Sequence, residues 1–274
     1  MQYDLFKQNK YKFFSIGSGS SGNCSYLGTD EYGILIDAGV GIRTIKKALR
    51  EYDVSFEKII AVIITHDHAD HIKTVGYFGD KCNIPIYTTQ AVHEGIQRNR
   101  VVQADLFQAK RVIEKENPFL IKDFRITAFE VPHDSIDNVG YHIELDNQIF
   151  VYITDVGRIT DTIKRYASQA HHLVIEANYD DYMLQAGRYP YYLKQRIANG
   201  MGHLSNRYSA EFIASIYNEN LQNIWLCHLS QDNNHPELAY KTVEQALAAN
   251  GVVAGKNVKL ETLSRYKVSG LREF

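Results

Sequence analysis

The chain has few cysteines, no long apolar run and no excess of charge of one sign. Its three cysteines, at positions 24, 82 and 227, are far apart and form no Cys-x-x-Cys pair, which argues against a disulfide framework and favours a reducing compartment. No window approaches the roughly 20 apolar residues of a membrane span, and the first ten residues lack the apolar core of a signal peptide. We therefore expect a soluble cytoplasmic protein that does not enter a membrane.

Length and charge narrow the class of protein further. The 274 residues are 45% hydrophobic, which is enough for a substantial core. Neither an internal repeat nor a linker interrupts them, so the sequence predicts one α/β domain over residues 1–274. The formal net charge is −2, so any contact with nucleic acid would need a local basic patch.

The most informative stretch is an apolar run at 60–64 that ends in a polar cluster, Thr65-His-Asp-His-Ala-Asp-His71. The run is mostly β-branched and of strand length, as expected for a strand covered on both faces. Residues two apart in extended backbone project to the same side, so His66 and His68 can converge on one point. A helix that begins at Asp70 would place this carboxylate at the N-cap.

Imidazoles and carboxylates at this spacing suit borderline divalent metals such as zinc or manganese. The alternative is a solvated polar loop, which does not explain why ligand types cluster directly after a buried strand. Residues 65–71 resemble the His-x-His-x-Asp-His signature of the metallo-β-lactamase superfamily. This resemblance implies the αββα four-layer sandwich, in which two mixed sheets are flanked by helices.

Later predicted strands also end in metal-ligand residues. The strands near 124–131, 148–153, 173–176 and 224–228 end at or just before His133, Asp155, Glu176 and His228. A sandwich of two sheets would gather these strand ends at one edge. By contrast, His93 and His142 lie within a helix and a strand, away from other ligand types, and are predicted to be structural.

The resemblance implies a role for each member of this set. In the superfamily, two divalent ions, Zn or Mn, are each held by three residues, and one aspartate bridges them. Carried over to this sequence, the first set is His66, His68 and His133, the second is Asp70, His71 and His228, and the bridge is Asp155. An aspartate at the end of an earlier strand, Asp37, fixes a metal-bound histidine.

A glycine-rich loop, Gly17-Ser-Gly-Ser-Ser-Gly22, matches the dinucleotide fingerprint Gly-x-Gly-x-x-Gly. The fingerprint requires a crossover helix after the loop, whereas residues 23–27 read as another strand, so nicotinamide binding is rejected. Two interpretations remain open. The loop is a hairpin connection, or its backbone N–H groups cradle a phosphate together with Ser20, Ser21 and Asn23.

Motifs spread over nearly the whole chain resemble a small bacterial branch of exonucleases and metal-dependent hydrolases, encoded near a cell-envelope two-component regulator. They include Gly17–Cys24, Glu176–Asp180, Gly202-His-Leu-Ser-Asn206 and the segment from His228 to Ala239. Glu176 and His203 also resemble the acid and histidine of ribonuclease Z and ribonuclease J relatives. Those enzymes carry large inserted arms, for which the segment between Asp155 and His203 is too short, so RNA processing of their kind is not expected.

The predicted function is a two-metal phosphodiesterase, a nuclease that resembles a DNA exonuclease. A hydroxide between the two cations attacks phosphorus, with Asp70 counted among the catalytic groups. His203, held by Glu176, donates a hydrogen bond to the phosphate or a proton to the leaving oxygen; the alternative for His203 is a local helix cap.

Contacts with the substrate are predicted in the Tyr-, Arg- and Lys-rich segment 182–202. Arg188 and Arg196 in this segment, with Ser205 just beyond it, would hold nucleic acid while tyrosines stack on bases. An amphipathic helix with solvated charges explains the same segment equally well.

Other functions stay open at this point. They are a cyclic phosphodiesterase for a small substrate, a thioester hydrolase of the hydroxyacylglutathione type, and a metal-binding regulatory module without turnover. Residues 235–274 look too short for the glutathione-binding domain that a thioester hydrolase of this type would need. The partner is nucleic acid or a small phosphodiester, no membrane is expected, and the oligomeric state is left undetermined.

Overall fold

The computed structural model describes residues 10–274. Within this range, no helix is both long enough and apolar enough to cross a membrane. The prediction that no signal peptide is present rests on the first ten residues, which lie almost entirely outside the described part of the chain.

The first sheet has seven strands and is mixed. Its spatial order is β14-β1-β2-β3-β4-β5-β6, antiparallel as far as β3 and parallel from β3 onward. The strands are β1 (Lys12–Gly17), β2 (Cys24–Gly28), β3 (Gly33–Ile36), β4 (Ile59–Ile63), β5 (Ile86–Thr89), β6 (Lys110–Ile113) and β14 (Arg272–Glu273).

The second sheet also has seven strands, in the order β13-β12-β11-β10-β9-β8-β7. It is antiparallel from β7 to β10 and parallel from β10 to β13. The strands are β7 (Phe119–Ile121), β8 (Phe124–Glu130), β9 (Val139–Leu145), β10 (Gln148–Ile153), β11 (His172–Glu176), β12 (Asn223–Cys227) and β13 (Lys259–Thr262).

Helices cover the outer face of each sheet. A 3-10 turn at Phe56–Lys58 and a π-helical turn at Tyr77–Lys81 complete the helical structure of the described residues. The α-helices are α1 (Ile42–Glu51), α2 (Ala69–Ile72), α3 (Gln90–Arg98), α4 (Asp161–Ala167), α5 (Asp181–Ala186), α6 (Tyr191–Ala198), α7 (Asn206–Ile216) and α8 (Pro236–Ala249).

Three apolar clusters separate four layers of structure. The central cluster lies between the sheets, where Phe13 of β1 packs against Trp225 of β12 with ring centroids 4.5 Å apart. A second cluster joins the first sheet to α1, α2 and α3, and a third joins the second sheet to α4, α7 and α8. The predicted arrangement of two mixed sheets flanked by helices is confirmed.

Strand β4 is apolar on both faces because both faces are covered. Ala61 and Ile63 face the central cluster, whereas Val62 and Ile64 face the helices on the outer side. A strand in this position has no solvated face, so no polar residue interrupts it. The polar segment at 65–71 follows immediately, at the edge where the two sheets meet.

The glycine-rich loop joins two antiparallel strands, β1 and β2, and no helix follows it. The rejection of a dinucleotide site is therefore supported by the topology. Inside the loop, the Gly22 N–H donates to the carbonyl of Gly19 at 2.9 Å, and the Gly19 N–H donates to Asn23 Oδ1 at 2.8 Å. These local bonds match the hairpin interpretation.

Candidate metal centre

All seven predicted metal ligands lie together at one edge of the sandwich. Their donor atoms form overlapping groups of three or four within 4.8 Å of one another. The groups are His66, His68 and His133; Asp70, His71 and His228; His66, His71 and Asp155; and Asp155, Glu176, His203 and His228. The donors come from both sheets, so packing of the two sheets assembles the cluster.

The first group has three histidines that face a common point. His133 Nε2 lies 3.3 Å from His68 Nδ1, and the His66 ring centroid is 4.7 Å from that of His68 and 5.1 Å from that of His133. The Nδ1 atom of His133 donates to the carbonyl of Gly202 at 2.8 Å. This bond fixes the tautomer and leaves the Nε2 lone pair of His133 directed into the cluster.

Histidines of both predicted ligand sets lie around the carboxylate of Asp155. Asp155 Oδ2 lies 3.3 Å from His71 Nε2, and Oδ1 lies 3.7 Å from His133 Nε2. The same carboxylate thus faces a histidine of each predicted set. Asp70 Oδ2 lies 3.6 Å from both His71 Nε2 and His228 Nε2.

The position of Asp70 in its helix differs from the prediction. Helix α2 begins at Ala69, its N-cap is His68 with extended backbone, and no side chain caps it. The predicted N-cap role of Asp70 is therefore wrong by two positions. Asp70 is the second residue of the helix, and its carboxylate faces His71 and His228.

Asp37 is buried behind His71 and holds its orientation. Asp37 Oδ2 accepts from His71 Nδ1 at 2.8 Å, and Oδ1 accepts from the Thr65 N–H at 2.8 Å. The hydroxyl of Thr65 lies within 3.1 Å of both carboxylate oxygens. A carboxylate fixed in this way directs the Nε2 atom of His71 into the cluster.

Glu176 links four parts of the site. Its Oε1 accepts from His203 Nδ1 at 2.8 Å and from His228 Nδ1 at 2.9 Å. Its Oε2 accepts from the backbone N–H groups of Val156 and Leu204 at 2.9 and 3.0 Å. The sequence predicted the contact with His203, but it gave no signal for the other three.

Three residues at this edge have left-handed backbone. Asp37, Asp155 and His228 have φ angles of 61°, 54° and 53°. This conformation is uncommon outside glycine, asparagine and aspartate, and such residues cluster at functional sites. Each of the three lies one or two residues beyond the end of a strand, where the chain turns toward the cluster.

Burial and the closeness of charged side chains shift the pKa values of the residues in the cluster. Burial lowers the pKa of His66 well below its usual range, and repulsion from His71 adds to this effect. Burial also disfavours the charged form of His228, but Asp155, Asp70 and Glu176 outweigh it and raise its pKa to about 10. Burial opposes ionisation of Asp155 as well, yet the adjacent histidines hold its pKa well below the usual range.

The residues at this edge fit divalent metal ions. The Nε2 atoms of His66 and His228 are buried without any hydrogen-bond partner, and a buried polar atom left in this state is costly. A cation at the cluster would give both nitrogens a partner. The mixed imidazole and carboxylate donor set matches the ligand preference of zinc and of manganese.

A cavity of about 190 Å³ lies beside the cluster, with Ser20 and Arg196 in its lining. Arg196 is paired with Asp134, and the Ser20 hydroxyl accepts from Arg265 at 2.8 Å. His203 and His228 also line this cavity. The structure therefore brings two of the predicted substrate-binding residues to the site.

The other four predicted substrate-binding residues do not line this cavity. Asn23 is buried, and its amide faces His71 and Asp70. Ser205 is also buried, because its hydroxyl is the N-cap of α7 and accepts from Tyr208 N–H. Ser21 and Arg188 are exposed and do not line the cavity. Ser205 is therefore a helix cap and not a substrate contact, whereas the assignments of Ser21, Asn23 and Arg188 stay predictions.

Sequence reasoning missed one wall of this cavity. Leu193 and Ile197 of α6 line it together with Tyr189 and Asn178. The spacing of Leu193 and Ile197, four residues apart on a helix, is the signal that could have identified this wall. The cap of α7 is Ser205, so the alternative of His203 as a helix cap is excluded.

Comparison with known proteins agrees with this geometry. Residues 32–224 match the family model described as a beta-lactamase superfamily domain. The chain is 31% identical over 244 residues to exodeoxyribonuclease YycJ of Bacillus anthracis, which covers 89% of this chain and 92% of the relative. It is 32% identical over 263 residues to exodeoxyribonuclease WalJ of Streptococcus pneumoniae, covering 96% and 98%.

A solved structure shows the same fold. The metallo-beta-lactamase fold protein YhfI of Bacillus subtilis superposes with a TM-score of 0.71 at 20% identity, over 97% of this chain and 100% of that one. The resemblance carried by residues 65–71 is thus matched in the family model, in the relatives and in the architecture. The chain belongs to the metallo-β-lactamase superfamily, in the bacterial branch that contains YycJ and WalJ.

Proposed function

We propose that the chain is a two-metal phosphodiesterase that degrades DNA from an end. The observation that carries this proposal is the convergence of two imidazole and carboxylate sets on Asp155, with His203 beside them at a cavity. The names of YycJ and WalJ support DNA as the substrate. We also propose that residues 1–274 act as one domain, because both sheets supply donors to the same site.

Each donor has a proposed place. His66, His68 and His133 would hold one divalent ion, and Asp70, His71 and His228 would hold the other. Asp155 would bind both ions. Bound ions of this kind lower the pKa of a water and neutralise charge on the phosphate oxygens. Asp37 fixes His71, and the Gly202 carbonyl fixes His133, so these imidazoles are oriented before a cation binds.

His203 is the group we assign to the leaving oxygen. Its Nδ1 donates to Glu176, so the opposite nitrogen is free to face the cavity. The carboxylates of Glu176 and Asp155 raise the pKa of His203 against the effect of burial. A protonated imidazole can donate to the phosphate or to the oxygen that leaves it.

The first test is a substrate panel with the zinc- and manganese-loaded protein. Single- and double-stranded DNA, RNA, a chromogenic phosphodiester and a thioester are compared, with bound metal counted by mass spectrometry. We expect two ions per chain and DNA as the preferred substrate. Thioester cleavage alone, or two bound ions with no turnover, would contradict the proposal.

The second test is His203→Ala. We expect this variant to retain its metal ions and to lose about 10²–10⁴ in kcat, the usual contribution of a general acid. His171→Ala is the matched control, because His171 lies just before β11, at the opposite end of this strand from Glu176. Unchanged turnover in His203→Ala would make His203 structural.

A further inference from the structure

A second and larger cavity also borders His203. It has a volume of about 670 Å³, within the range of ~300–1,000 Å³ typical of small-ligand sites. His203 lines both this cavity and the smaller one beside the cluster. The wall nearest the site comes from the segments that follow Asp155 and Glu176, which contribute Arg158 and Tyr179.

The lining of this second cavity combines aromatic rings with positive charge. Tyr208 provides an exposed ring, whereas Tyr179 and Phe212 are buried and form the apolar wall behind it. The ring of Tyr208 is 49% exposed, and the guanidinium of Arg207 lies 4.2 Å from its centroid. Such a platform can stack on any nucleobase, because every base has a π face.

Two cations in the lining have no acidic partner. Among the described residues, neither Arg158 nor Lys164 forms an ion pair; Arg158 donates only to the carbonyl of Gly200 and to the sulfur of Met201. The acid in the lining, Glu211, lies 3.4 Å from Arg207. Unpaired guanidinium and ammonium groups beside aromatic rings match the charge and shape of a nucleotide.

We propose that the second cavity holds a nucleotide of the DNA strand on the opposite side of the scissile phosphate from the first cavity. The base contacts Tyr208, and Arg158 and Lys164 contact the backbone phosphate. This inference rests on the proposed function. A phosphodiester placed at His203 borders both cavities, so the strand passes this histidine from the smaller cavity to the larger.

The test compares substrates that reach the second cavity with one that does not. KM is measured for DNA oligomers of two to eight nucleotides and for a chromogenic methyl phosphodiester that carries no nucleoside. The measured quantity is the ratio of the oligomer KM to the diester KM. It should rise about tenfold in the double variant R158A/K164A and, separately, in Tyr208→Ala. A rise of this size corresponds to the loss of one stacked base or of its phosphate contact. The effect should lie mainly in KM.

The matched control removes two positive charges elsewhere. Lys256 and Lys259 are exposed, and Lys259 pairs with Asn223 at the start of β12, far from His228 at its end. The control K256A/K259A should keep the wild-type ratio. An equal rise in the control would mean that total charge alone is measured, and it would overturn the inference.

A binding measurement separates the possible failures. Anisotropy of a fluorescent octamer in chelator should report weaker binding to both variants than to the wild-type chain. If the wild-type protein cleaves DNA and the variants keep its ratio and its anisotropy, the second cavity is not on the strand path and only this inference fails. If the wild-type protein cleaves the diester but no DNA, the proposed function fails with it.

Discussion

Buried histidines in this molecule differ in what their ring nitrogens contact. His172, at the start of β11, has two partners, since Nε2 lies 3.0 Å from Gln148 Oε1 and Nδ1 lies 2.8 Å from Asn223 Nδ2. At the metal-ligand cluster, His66 and His228 are also buried, but their Nε2 atoms have no partner. The protein satisfies the first histidine by itself and leaves the other two to a ligand.

A missing partner alone does not identify a metal ligand. His142 is buried with both ring nitrogens unpartnered, and its ring packs against Tyr166. It belongs to none of the donor groups among the described residues. What distinguishes His66 and His228 is that other donors converge on the same point. Convergence is therefore the feature that the experiments need to test.

The largest expected effect comes from removing one converging donor. His66→Gln should lose bound metal and at least about 10²–10³ in kcat, as when one electrostatic stabiliser is removed from an active site. His172→Gln makes the same substitution at a histidine that the protein satisfies itself, and it should retain metal and turnover. Metal analysis and initial rates measure both. Equal losses in the two variants would mean that burial, and not convergence, explains the effect.

The two sheets differ in how much of the site their sequences predict. The ligands from the first sheet lie in one short segment after β4, so spacing alone indicates that they converge. Those from the second sheet are spread from His133 to His228, each at the end of a different strand. To place these residues at one site, the order of the strands in the sheet must be known. Resemblance to a family, and not residue spacing, indicated that they converge.

Other features depend on contacts that have no local signal. Glu176 accepts backbone N–H groups from Val156 and Leu204, which the fold alone brings together. Ser205 is predicted to hold substrate, but its hydroxyl accepts from the Tyr208 N–H and caps α7. Cap residues and substrate contacts share the same amino-acid types, so residue type could not separate these roles.

A smaller effect is expected from Asp37→Asn. Asparagine keeps the size of the side chain and tolerates left-handed backbone, but it removes the charge that accepts from His71. Metal affinity should fall about 10–100-fold, as is usual for a carboxylate that orients a ligand.

Asp53→Asn is the control for Asp37→Asn. Asp53 has a φ of 55° but is exposed in a turn. Metal titration monitored by restored activity compares the two variants. Wild-type affinity in Asp37→Asn would show that the His71 orientation is fixed by packing alone.

The smallest predicted effect concerns pH at the satisfied histidine. Burial, together with repulsion from His171, lowers the pKa of His172 to about 3. The neutral ring already matches both partners, because Nε2 donates to Gln148 while Nδ1 accepts from Asn223. In the unfolded chain the same imidazole has a pKa of about 6.5. Between these values the unfolded state binds a proton that the folded state does not.

The sign of the effect follows from this difference. Stability rises with pH wherever the unfolded state binds more protons, so His172 lowers the free energy of unfolding as the pH falls below about 6.5 and has no such effect above it. Between pH 7 and 5.5 the loss is about 1 kcal/mol. In His172→Gln this contribution is absent, so urea unfolding at the two pH values should show a smaller loss than in the wild-type protein. An equal loss of unfolding free energy in the variant and in the wild-type protein would mean that folded His172 accepts the proton. The Asn223 amide would then not hold Nδ1 as an acceptor.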